Sequence, residues 1–210
     1  MKKTIFILVI ILVVGGVWFV NRQKETPQDD NLTFYRNSNV GVSFSYPKIL
    51  NLNATLEEIE LHHDIPYENH GDCDMMGDEN TYPRLTDFKV TIRKTGKGLV
   101  DTMKINSPYI PQENFINDTV VPSPGFIDPF KIGDHEGYAI YEGAEGCGQT
   151  TYYIPRGSNE TLVINRASIQ VLSGVVSKEK EEEVLVIPGV ISREKYEEMF
   201  ILILNSLKFL

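Results

Sequence analysis

The sequence predicts an α+β fold: a mainly antiparallel sheet packed by helices, preceded by one N-terminal transmembrane helix. Three observations predict it. Thr4 to Val20 (TIFILVIILVVGGVWFV) is an uncharged apolar run directly after Lys2 and Lys3. Several later segments alternate apolar and polar residues with period two, as a half-buried strand does. The C-terminal segment carries an apolar stripe at helical spacing, and nothing upstream shows the regular strand–helix–strand rhythm of a parallel sheet.

Lys3 and Arg22 bracket 18 uncharged residues, which as a helix span ~27 Å, close to the ~30 Å hydrocarbon core of a bilayer. Trp18 and Phe19 stand where interfacial aromatics are expected, and Lys2 and Lys3 favour a cytoplasmic N-terminus. A cleaved signal peptide would need a shorter apolar run ending in a small-x-small site. The only such sites, Val13-Val14-Gly15 and Val14-Gly15-Gly16, lie inside the run, so the expectation is an uncleaved anchor. The organisation predicted is residues 1–24 as membrane anchor and flanks, 25–31 as polar tether, and 32–210 as one extracytoplasmic domain on a single-pass protein of the cell membrane.

Within the domain, Val42, Phe44 and Tyr46 alternate with Ser43 and Ser45 in a strand stopped by Pro47. Leu56 to His62 fits a strand or a helical turn. Thr86 to Arg93 is the clearest strand, with Phe88, Val90 and Ile92 on one face and Lys89, Thr91 and Arg93 on the other. Gly98 to Lys104 fits a short helix. Asn106 to Pro129 holds five of the eleven prolines and reads as a long irregular excursion. Ile132 to Gly137 reads as a turn feeding a strand at Tyr138 to Tyr141. Thr150 to Ile154 and Thr161 to Asn165 read as strands joined by a Gly157-Ser158-Asn159 turn. Ser168 to Val176 fits one more strand, and the charge run Lys178 to Glu183 a solvated loop. Last, Ser192 caps a helix whose stripe is Tyr196, Met199, Phe200, Ile203, Leu204 and Leu207.

Charge narrows the function classes. Four of the 20 basic residues flank the apolar run and no acid precedes Glu25, so residues 25–210 carry 16 basic and 29 acidic side chains, a net charge of −13. That field repels phosphate backbones, and nucleic acid is not expected as a partner.

The segment FYRNSNVGVSFSYP resembles the opening strand of PsbP-like domains, and EEMFILILNSLKFL resembles their closing helix and tail in anchored bacterial proteins. The resemblance implies an antiparallel sheet between helices, and a role in binding or assembly. It carries no functional residue onto this chain.

Cys73 and Cys147 are the only cysteines. In an oxidising compartment such a pair reads first as a disulfide. The densest polar cluster is His62, His63, Asp64, His70, Asp72, Cys73, Asp74, Asp78 and Glu79. Imidazoles and carboxylates suit Zn²⁺, and carboxylates alone suit Ca²⁺; His62, His63, His70, Asp72, Asp74 and Asp78 are the candidate ligands. Neither template is complete. A calcium loop begun at Asp72 has Met76 at its fifth position and Pro83 where the bidentate Glu belongs.

His135-Glu136 is not followed by the second His of a metalloprotease helix, since Ala139 stands there. There is no Gly-x-Ser-x-Gly elbow and no phosphate-binding Gly-Lys-Ser/Thr loop. The expectation is a non-enzymatic domain without cofactor, tethered to the membrane, that binds or assembles a protein or envelope component. The alternative is a Ca- or Zn-dependent binding domain or hydrolase using the His62–Glu79 segment.

Overall fold

Alternation of apolar side chains along β5 (Leu85–Thr95) organises the molecule, because Phe88, Val90 and Ile92 are fully buried on one side of it. The structure is a computed structural model that describes residues 30–71, 80–175 and 177–210. The unit Thr33–Leu210 contains the elements that matter below. Its main sheet has seven strands in the order β3-β4-β5-β11-β10-β9-β8, formed by β3 (Asn51–Ala54), β4 (Glu58–Ile65), β5, β8 (Asp128–Ile132), β9 (His135–Ala144), β10 (Cys147–Pro155) and β11 (Thr161–Ser168). Every neighbouring pair in it is antiparallel. A second sheet joins β1 (Leu32–Asn37), β2 (Val42–Pro47) and β12 (Lys208–Phe209), and a hairpin of β6 (Phe115–Ile116) and β7 (Thr119–Val120) rides on the proline-rich excursion.

Three helices occur among the described residues: α1 (Leu99–Asn106), α2 (Lys178–Leu185) and α3 (Arg193–Ser206). Helix α3 begins at Ser192, whose Oγ accepts from the Lys195 N–H at 3.3 Å. Its stripe of Tyr196, Met199, Phe200, Ile203 and Leu204 is buried with Leu207 against Ile59, Leu61, Phe88, Ile92, Leu162 and Ile164. Each such side chain contributes about 1.5–3 kcal/mol by leaving water. On the opposite face, Val100 and Met103 of α1 pack on Ile140, Tyr153 and Val163. A third cluster, Ile65, Leu85, Val171, Leu172 and Val184, closes one end of the strands.

The predicted fold class needs correction. It places a transmembrane helix before the α+β domain, but no helix among the described residues is long and apolar enough to cross a membrane. The longest, α3, has 14 residues, about 21 Å of helix against a ~30 Å core, and Arg193, Glu194, Lys195, Glu197 and Glu198 give it a charged face. The run Thr4–Val20 lies outside the described residues.

Smaller differences have local causes. Among the described residues after β11, the 3₁₀ turn Gln170–Leu172 stands where the sequence predicts a strand over 168–176. The charge run 178–183 forms most of α2, because Ser177 Oγ caps it and Val184 anchors it in the third cluster.

Candidate functional site

Residue register places the most buried carboxylate among the described residues. Along the β4–β5 pair, His63 faces Phe88 and Asp64 faces Thr86, so Asp87 is an extra residue in β5, a bulge. The bulge turns Asp87 inward instead of toward water, and its side chain is 0% exposed. Oδ1 lies 2.7 Å from His63 Nδ1, and Oδ2 accepts from the Ile191 N–H at 2.7 Å. Burial pushes the Asp87 carboxyl above its ordinary value, although the Ile191 amide and His63 both act against that shift.

Asp87 sits at the base of a cleft of about 400 Å³. The N-terminal turn of α3 forms one wall, the end of β11 and the Gly146 hairpin tip another, and residues 168–175 close it. Arg166 projects into it from β11. Its guanidinium lies 5.0 Å over the Tyr196 ring and 5.1 Å over Phe200, and its Nη2 is 2.5 Å from Glu197 Oε2. At the mouth, Arg193 Nη1 donates to the Ser173 carbonyl at 2.9 Å. Tyr196, almost wholly buried, donates its hydroxyl to the Lys89 carbonyl at 2.5 Å. Burial drives that phenol far above its ordinary value, so Tyr196 stays neutral and fixed. A larger groove of about 1060 Å³ follows the outer side of α3, but none of its lining residues is buried. The smaller cleft is the site with oriented groups.

The excursion is held by a separate polar network. Glu142 Oε1 accepts from Ser107 Oγ at 2.8 Å and Tyr109 OH at 2.6 Å; Oε2 accepts from Gln149 Nε2 at 2.9 Å and Thr151 Oγ1 at 3.1 Å. Burial opposes ionisation of Glu142, but these donors together hold its carboxyl below the usual value. Tyr109 is correspondingly raised, by burial and by the adjacent carboxylate.

The metal candidates do not converge among the described residues. His62 and His63 are consecutive on a strand, so their side chains leave on opposite faces. His62 lies by Glu60 (3.3 Å) and Asp64 (3.7 Å), whereas His63 meets Asp87. His70 is exposed and follows the bridge between Asn69 and Tyr82. Asp72, Asp74 and Asp78 lie outside the described residues. Among those described, no group of three or more His, Cys, Asp or Glu is placed to hold a metal ion.

Cys147 opens β10 at the hairpin tip, with its carbonyl accepting from Tyr141 OH at 3.1 Å. No free thiol occurs among the described residues, and Cys73 lies outside them.

His63–Asp87 has the look of a base and its orienting carboxylate. Among the described residues, no serine hydroxyl or cysteine thiol is hydrogen-bonded to His63. What the arrangement can do is present a fixed guanidinium pair beside aromatic and aliphatic surface.

No family model matches this chain, and no curated protein matches it. The cleft is therefore read from its own residues.

The sequence marks neither Asp87 nor Arg166, and it marks Tyr196 only as part of the packing stripe of α3. Period-two alternation from Phe88, Val90 and Ile92 assigns Asp87 to the solvent face, and only the bulge reverses that. Arg166 continues the buried register of Leu162 and Ile164. An arginine in the next inward position was the available signal, since a buried-face cation needs a partner.

Proposed function

We propose that this chain is a non-enzymatic, membrane-tethered extracytoplasmic domain that docks a protein or envelope component in the Arg166–Arg193 cleft. The observation that carries the reading is the cleft of about 400 Å³ whose polar groups are already oriented by protein partners. Preorganised donors lower the cost of ordering a bound partner, which favours recognition. The apolar run Thr4–Val20 behind two lysines supports attachment to a membrane, and the pair Cys73 and Cys147 supports an oxidising compartment. The net charge of −13 over residues 25–210 weighs against nucleic acid. The PsbP-like character of FYRNSNVGVSFSYP and EEMFILILNSLKFL points the same way, to binding or assembly.

The test is site-specific photocrosslinking of the full chain in native membranes. A photoreactive residue replaces Val175, exposed on the cleft rim, or Leu56, exposed at the opposite end of the strands. A discrete adduct at Val175, absent at Leu56, is the expected outcome. Hydrolytic activity of the purified chain that disappears in His63→Ala would sink the proposal.

A further inference from the structure

Among the described residues the main sheet ends in two edge strands, β3 and β8, and they are finished differently. On β8, Pro129 has no N–H to offer, and Lys131 with Glu136 sets an exposed ion pair beside it. Both devices keep a second chain off an edge. Strand β3 has neither. Ile49 to Leu56 (ILNLNATL) is eight residues without charge or proline, in a chain whose residues 25–210 carry a net charge of −13. Ile49 and Leu56 stand exposed at the two ends of the strand.

The register says which main-chain groups of β3 are free. Asn51 faces His62, Asn53 faces Glu60, and the Thr55 N–H donates to the Glu58 carbonyl at 2.8 Å. Hydrogen-bonded residues alternate along an antiparallel ladder, so Asn51, Asn53 and Thr55 turn their main-chain groups toward β4. Leu52 and Ala54 turn theirs outward, and among the described residues nothing answers them.

We propose that this edge pairs with β3 of a second copy of the chain, antiparallel about a two-fold axis at Asn53. Leu52 of each copy then faces Ala54 of the other, and each such pair exchanges two N–H···O bonds. Every outward group of both strands is answered. An axis at Leu52 or at Ala54 would pair only that residue with its own copy and leave half of those groups unmet. Charge selects the antiparallel direction. Lys48 precedes β3 and Glu57 follows it; both are exposed, and among the described residues neither makes an ion pair. Antiparallel pairing brings the Lys48 end of each copy to the Glu57 end of the other. Parallel pairing would set lysine beside lysine and glutamate beside glutamate. Glu58, the next acid, is the cross-strand neighbour of Arg93 in its own chain and is not needed. No residue from Lys48 to Glu58 lines the Arg166–Arg193 cleft, so pairing at β3 leaves that cleft's lining untouched.

So short a contact makes a weak, reversible dimer, and a covalent trap is the right probe. A photoreactive residue replaces Asn53, where the two strands approach to roughly 4.5 Å between Cα atoms, in cells that make the full chain. The same residue at Ser158, exposed in the β10–β11 turn, is the comparison. The expected product is an adduct of twice the chain's mass at Asn53 and none at Ser158, with β3 peptides joined to β3 peptides. Its mass tells it apart from the adduct with another component that is expected at Val175 and absent at Leu56, so the two readings fail separately. Ala54→Pro removes an outward N–H without touching the β4 ladder and should cut the yield about tenfold, with Tm showing that the chain still folds. Lys48→Glu should also lower the yield, and the exchange of both charges, Lys48→Glu with Glu57→Lys, should restore it. That restoration is a readout that a loss of folding cannot imitate. No self-adduct at Asn53, an adduct there with a different protein, or a self-adduct indifferent to both Ala54→Pro and the charge variants overturns the assignment.

Discussion

His63 Nδ1 and Asp87 Oδ1 lie 2.7 Å apart across the β4–β5 bulge, and the second oxygen of Asp87 receives the amide that leads into α3. One carboxylate therefore ties a strand, its neighbour and the start of the main packing helix. Removing it leaves the buried Ile191 N–H without an acceptor and His63 without its partner. Asp87→Ala is expected to lower the unfolding free energy by about 2–4 kcal/mol. Asp87→Asn keeps an acceptor oxygen and should cost less. Denaturant unfolding of both variants checks this, and equal losses would contradict it.

The same residue sets a pH dependence. Its carboxyl is raised in the folded state, chiefly by burial, so it holds a proton more tightly folded than unfolded. Its contribution to stability is then complete below the unfolded carboxylate value and is lost as pH rises through the folded one. Wild type should lose stability relative to Asp87→Asn over that rise. Parallel Tm-against-pH curves for the two proteins would show that Asp87 titrates as an ordinary carboxylate.

Glu142 behaves with the opposite sign. Four donors hold its carboxyl low despite burial, so its contribution is present above the unfolded value and lost as pH falls through the folded one. Glu142→Ala should cost about 2 kcal/mol, and it should loosen the segment from Ser107 to Ile127 because Ser107 and Tyr109 lose their anchor. Limited proteolysis is the direct readout. Unchanged cleavage within that segment would show that Val120 and Ile127 hold it without the network.

How much of this was legible in the sequence depended on whether a residue obeyed its local period. The stripe from Tyr196 to Leu207 repeats at helical spacing behind a serine cap, and the structure buries every member of it. Phe88, Val90 and Ile92 were visible in the same way. Asp87 was not, because a bulge is a break in periodicity and leaves no composition of its own. Helix α2 was hidden for a related reason: among Lys178 to Leu185 only Val184 is buried, too little for an apolar stripe. The edge strand β3 reads Asn51-Leu52-Asn53-Ala54 and has no strand-forming residues to mark it. The cleft was hidden for a further reason: residues from the bulge, β11, the hairpin tip and α3 meet only in three dimensions.

The hairpin tip beside the cleft depends on two glycines facing each other. Gly143 and Gly148 are paired across β9 and β10 at φ +149° and +118°. A Cβ on Gly148 would lie 2.0 Å from the Glu142 carbonyl oxygen, and one on Gly143 would lie 1.9 Å from the Cys147 carbonyl oxygen. Both are backbone atoms that cannot swing away. Gly148→Ala should therefore destabilise the protein by about 2 kcal/mol or more, while Gly157→Ala, with open space around its Cβ, should be limited to the strain of its own positive φ. A loss at Gly148 no larger than at Gly157 would mean the tip rearranges freely.

Cys147 lies between those two glycines in the chain and opens β10, and its bonding is testable through stability. If Cys73 and Cys147 are joined, the bridge closes a 75-residue loop and stabilises the fold by up to about 4 kcal/mol in the chain-entropy model. Cys73→Ser, Cys147→Ser and the double variant should then lose the same amount, because either single change breaks one bond. Reductant should bring wild type to that level and leave the variants where they are. Thiol labelling of the unfolded, unreduced chain should find no reactive sulfur. Two labelled thiols, or a double variant that loses the sum of two unequal single losses, would show two independent cysteines and remove the disulfide as a support for an extracytoplasmic location.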